Sequence, residues 1–133
     1  MVHPSFYTTG EITKLASIGS PEDRDRARLF VAKADKAFSD LTTPEKELYD
    51  KYGLLSRYAP GGDIGGKSET HSLKLWSAHF GDDSYGYVWI WYTNEVKDEK
   101  DEVIQGSYDI PSLWIFEKDE EGVWKIIDIK EHP

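Results

Sequence analysis

The sequence predicts an α+β fold in which N-terminal helices lie across one face of a curved antiparallel sheet of four or more strands. Three observations carry that prediction. Apolar residues recur at three- and four-residue steps through the first half of the chain, in runs that open on helix-start signals. The second half switches to period two, in runs separated by turn-forming clusters. Between them a glycine-rich stretch breaks both patterns, and helices followed by strands is the arrangement of α+β domains. At 133 residues the chain can bury one core and not two, so a single domain is expected: residues 1–58 as a helical half, 59–70 as a loop and 71–133 as a meander.

Residues 1–10 read as an irregular lead-in, restricted by His3-Pro4, with Phe6 and Tyr7 available to dock on the body. Ile12, Leu15, Ala16 and Ile18 fall at helical spacing, and Gly19 can close that helix in the left-handed conformation. Ser20 is then an N-cap, Pro21 a first helical residue, and Glu22 and Asp23 face the positive end of the helix dipole. A long helix follows. Its apolar stripe is Ala27, Phe30, Val31, Ala34, Ala37, Phe38 and Leu41, with Arg24, Arg28, Asp35 and Lys36 left for solvent. Thr43-Pro44-Glu45 repeats the cap pattern for another helix, whose inward side carries Leu48, Tyr52 and Leu55.

Residues 72–80 fit a helix through Leu73, Trp76 and Phe80. They also fit a strand with Trp76, Ala78 and Phe80 on one face and Leu73 and Leu75 on the other, and the turn at Gly81-Asp82-Asp83-Ser84 favours the strand. Residues 85–96 are the strongest strand in the chain. Tyr85, Tyr87, Trp89 and Trp91 share one face and Val88, Ile90 and Tyr92 the other, so both faces require cover. Residues 97–102 are a charged, solvated connection. Residues 108–118 form a third strand, with Ile110, Trp114 and Phe116 opposite Leu113 and Ile115, and Pro111 belongs at an edge or bulge. The turn at Asp119-Glu120-Glu121-Gly122 leads into a last strand over 123–131.

A net charge of −9 with no basic stripe argues against nucleic acid and against anionic membrane surfaces. No segment approaches membrane-spanning length, so no membrane insertion is expected. The absence of cysteine removes disulfides, thiolate chemistry and cysteine-ligated zinc. It assigns no compartment, and a cytoplasmic protein and the secreted part of one whose leader was removed are both compatible with it. Gly61 to Ser68 spells the phosphate-loop pattern G-x-x-x-x-G-K-[ST]. That motif needs a buried strand before it and a helix after it. Arg57 and Pro60 precede it and a hairpin follows, so the stretch reads as a glycine-rich linker.

The early-capped helices, then LKLWSAHFGDDSYGYVWIWYTNEV, a charged loop and EGVWKIIDIKEHP, together resemble the nuclear transport factor 2-like cone fold. The local match is Gly122, Trp124 and Ile126, the Gly-x-Trp-x-Ile strand with which members often end. The resemblance implies a curved sheet around a pocket, frequent dimerisation through the sheet, and either small-molecule enzymes or binding modules. A cystatin-like fold, with fewer helices, is the competing architecture.

The four histidines, His3, His71, His79 and His132, have no metal-ligand spacing, and no motif asks for a metal or cofactor. Asp128, placed by alternation with Trp124 and Ile126, and His79 near a strand end are the candidates for acid–base work. Tyr87, Trp89, Trp91, Trp114 and Phe116 are the candidates for lining a small apolar ligand or meeting a second subunit. Two apolar sheet faces and one set of helices predict a homodimer. The function expected is non-catalytic binding through the sheet face, with a cofactor-free isomerase, cyclase or dehydratase built on a buried acid as the alternative.

Overall fold

The computed structural model describes residues 19–131. In chain order these form α1 (Pro21–Phe38), α2 (Glu45–Tyr52), a 3-10 helix (Gly53–Tyr58), β1 (Ser68–Phe80), β2 (Tyr85–Lys97), β3 (Val103–Lys118) and β4 (Trp124–Glu131). The strands pair in the order β1-β2-β3-β4 as an open antiparallel meander with the two α-helices packed on it, which is the α+β arrangement expected. The helix expected over 12–18 lies outside the described residues, as do His3 and His132. Contacts divide the described chain into two compact units that cut across the elements. One comprises residues 19–29, 74–91 and 110–131, the other Phe30–Leu73 with Tyr92–Asp109.

In the first unit α1 starts where its sequence signals place it. The Asp23 amide donates to Ser20 Oγ at 3.0 Å, Pro21 opens the helix, and Glu22 and Asp23 occupy the first turn. Arg24 does not face solvent as the pattern implied. Its guanidinium donates to the carbonyl oxygens of Trp76 at 3.0 Å and Leu75 at 3.3 Å. There the alternation of β1 slips by one residue, with Trp76, Ser77 and Ala78 buried in succession. Trp76 therefore leaves the face of Phe80 and joins that of Trp89 and Trp91, while Phe80 lies beneath Arg26 of α1, 5.4 Å from its guanidinium. Phe116 and Trp124 pack edge-on against Phe80, at 5.1 and 5.0 Å.

In the second unit the rest of α1 buries Ala34, Ala37 and Phe38 completely. The two alanines let the helix backbone approach closely, and Phe38 then stacks with Tyr58 at 4.9 Å and His71 at 5.1 Å. Helix α2 differs from its expected start: Pro44 is the N-cap residue, and Asp63 Oδ2, from the glycine-rich loop, accepts from the Glu45 amide at 3.1 Å. Thr43 does not serve as a cap because Asp40 holds it. Leu48, Tyr52 and Leu55 are buried as expected.

The loop ends at Lys67, because β1 begins at Ser68 rather than residue 72. Strand β3 begins at Val103, five residues before the expected start at 108; an exposed, glycine-containing stretch had hidden it. The charged connection between β2 and β3 is a tight turn in which Asp98 Oδ1 accepts from the amides of Lys100 and Glu102.

Candidate functional site

Strand β2 turns Val88, Ile90 and Tyr92 toward α1, with the Tyr92 ring 5.1 Å from Phe38. By the alternation of a strand, Tyr87, Trp89 and Trp91 stand on the opposite, outer face. There Trp76, Trp89 and Leu113 form a buried cluster, against which Tyr87, Trp91 and Ile115 pack half-buried. Trp76 lies 6.2 Å from Trp89 and meets Trp91 edge-on at 5.4 Å. The Lys74 ammonium sits over the Trp91 ring at 5.9 Å. The indole Nε1–H of Trp91 is buried and has no hydrogen-bond partner.

Of the five rings grouped from sequence, Tyr87, Trp89 and Trp91 are brought together. Trp114 and Phe116 are not: both are fully buried on the helix-facing side of β3, opposite Leu113 and Ile115. Trp76 belongs to the outer cluster and escaped the sequence because the slip in β1 reverses its parity.

Asp128 is also displaced from the face that alternation gave it. Ile126 pairs with Phe116 but Asp128 pairs with Ile115, so β4 carries an extra residue across that step. Cross-strand partners share a face, and the bulge moves Asp128 to the outer side, exposed, its Oδ1 accepting from the Ile129 amide at 2.9 Å. His79 is exposed on the same face with its ring 5.6 Å from Tyr87. The two residues lie on β4 and β1, the two edge strands. Three interstrand spacings amount to roughly 14 Å, too far for one proton-transfer site.

Of the two described histidines, the one that acquires charged partners is His71. Its Nε2 faces Asp35 Oδ1 of α1 and its Nδ1 lies 2.9 Å from both carboxylate oxygens of Glu69. The Glu69 side chain is only 6% exposed. Burial works against the His71 proton, but the hydrogen bonds and charges of Asp35 and Glu69 outweigh it, and the imidazole is held above its ordinary value. Burial likewise raises Glu69 above the usual carboxylate range, against the pull of His71. Both ring nitrogens are engaged, on opposite sides of the ring, so the two acids bracket the imidazole and leave it no nitrogen for a substrate. Among the described residues no group of three or more His, Asp or Glu is placed to hold a metal ion. The sequence signal for this bracket was Glu69-x-His71 on one strand face; Asp35 had no local signal.

The second unit also contains a cavity of about 430 Å³ between α2, the 3-10 helix, the glycine-rich loop and Gln105 of β3. Its apolar wall is Leu48, Ala59, Pro60 and Ile64, and its polar groups include Glu45, Asp63 and Arg57. The glycines beside it serve packing rather than phosphate. The Gly61 and Gly62 amides donate to the carbonyls of Asp40 and Thr43, both at 2.8 Å, and a β-carbon on Gly62 would come within 2.6 Å of Thr42 O. A strand, not a helix, follows Lys67. Among the described residues no helix is long and apolar enough to cross a membrane. No protein-family model matches the chain, and a search of curated proteins finds no match either.

Proposed function

We propose that this chain is a non-catalytic binding module, and that Tyr87, Trp91 and Ile115, seated on Trp76, Trp89 and Leu113, form the surface that takes its partner. The observation that carries this reading is a set of half-exposed rings on the sheet face away from α1, one with an unsatisfied buried indole N–H. Leaving such a face in water forgoes about 25 cal/mol for each Å² of apolar area, and contiguous apolar patches mark interaction sites. A second copy of the chain supplies a matching patch without any further component, through isologous pairing of the two sheets. The order of elements, with Gly122, Trp124 and Ile126 in the last hairpin, supports a nuclear transport factor 2-like relationship, in which pairing through the sheet is frequent. A small apolar ligand would use the same rings.

Sedimentation velocity at tens of micromolar protein tests the proposal. A dimer is expected for the native chain, and a monomer with unchanged far-UV circular dichroism for the Tyr87→Glu/Trp91→Glu double variant. A native monomer whose tryptophan fluorescence is also indifferent to an apolar dye such as 8-anilinonaphthalene-1-sulfonate would overturn it.

A further inference from the structure

We infer that the free edge of β3 from Val103 to Asp109, together with the adjoining cavity, is a docking site for an extended peptide that carries lysine or arginine in alternation with apolar residues. Strand β3 has β2 on one side, and on the other, among the described residues, β4 pairs only with Ser112 to Lys118. Among the described residues, 103–109 thus present an unpaired edge. Among the described residues no turn or loop backbone bonds to that stretch. Edges of this kind are normally blunted by lysine, proline or a covering loop, because an open row of N–H and C=O groups templates pairing. Among the described residues this one has no such guard. Val103 is 49% exposed, Ile104 41% and Tyr108 54%, and between Lys100 and Lys118 the chain contains neither lysine nor arginine. The edge is instead terminated at its far end, where Asp109 takes a φ of 53° and Pro111 follows.

The cavity identifies what such a strand would bring. Gln105 belongs both to the edge and to the cavity wall, so an added strand runs past the cavity mouth. Strand addition draws affinity from the main chain and selectivity from side-chain pockets. Two carboxylates, Glu45 and Asp63, line this one against a single guanidinium, Arg57, which already lies over the Tyr58 ring at 6.0 Å. Leu48 and Ile64 provide apolar contact for the methylene stem of a long basic side chain. Asp101, Glu102 and Asp109 flank the edge, and the net charge of −9 attracts a cationic chain from a distance. A second copy paired antiparallel along this edge would set acidic ends against acidic ends, which disfavours self-pairing.

The test uses a fluorescein-labelled peptide of alternating lysine and valine and its glutamate–valine counterpart, read by fluorescence anisotropy with native protein, and hydrogen exchange of the complex. The lysine peptide is expected to bind and to slow amide exchange within 103–109. Binding should weaken roughly tenfold in Val103→Lys/Ile104→Lys, which restores the missing edge guard on two exposed side chains. Glu45→Gln should narrow the preference for lysine over glutamate. Equal affinity for the two peptides, exchange protection elsewhere but not within 103–109, or a native dimer that Val103→Lys/Ile104→Lys dissociates would each overturn the inference.

Discussion

Asp40 accepts hydrogen bonds from the Thr42 and Thr43 amides at 3.0 and 2.8 Å, from Thr43 Oγ1 at 2.7 Å and from Tyr52 Oη at 2.6 Å. Burial alone would raise its pKa, but these donors pull the carboxyl far below the usual carboxylate range, and burial with the Asp40 bond and charge pushes Tyr52 up to about 12. The stabilisation from Asp40 is therefore present at all pH values above the ordinary carboxylate range and fades only in strong acid. Asp40→Ala strands two amides and two hydroxyls, and is expected to cost about 3 kcal/mol in urea denaturation with the slope unchanged. His71 titrates in the opposite sense. Its folded pKa is raised, so its contribution is complete below about 6.5 and is lost as pH rises through the folded value. Glu69, also raised, acts with the same sign at lower pH. Thermal melts from pH 6 to 9 should show stability falling with pH, and His71→Gln should flatten that fall.

The hairpins show how far an element is written locally. Asp98 and Asp119 open their turns in the same way. Asp119 Oδ1 accepts from the amides of Glu121 and Val123 just as Asp98 Oδ1 does from Lys100 and Glu102. In each turn the residue three positions on has a positive φ: Gly122 at 82° and Asp101 at 64°. Only Gly122 is the residue type suited to that conformation. Asp101→Gly is expected to stabilise the protein by about 0.5 kcal/mol, after the loss of a solvent-exposed ion pair with Lys97. Equilibrium unfolding in urea measures it. Where caps and turns use near neighbours, as at Ser20 and Asp119, the sequence showed them. Where the partner is remote, as with Asp63 at the start of α2, Thr43-Pro44-Glu45 pointed to a cap that does not form.

At the largest scale, two apolar sheet faces and, among the described residues, helices on only one of them remain the basis of the dimer prediction, with Tyr87 and Trp91 as its test. The composition of the outer face was legible only in part. Tyr87, Trp89 and Trp91 follow from simple alternation, but Trp76 joins them, and Trp114 and Phe116 leave them, through the packing of β1 and β3. By itself the sequence determined the order of the two α-helices and four strands described, though not the 3-10 helix at Gly53–Tyr58, because periodicity, caps and turn residues act within a few positions. Tertiary structure decided which side chains share a surface. A one-residue slip in β1 and an extra residue in β4 reverse the facing of everything beyond them, and their partners lie on other strands. Likewise Asp35 and His71, 36 positions apart, become neighbours only when α1 lies on β1.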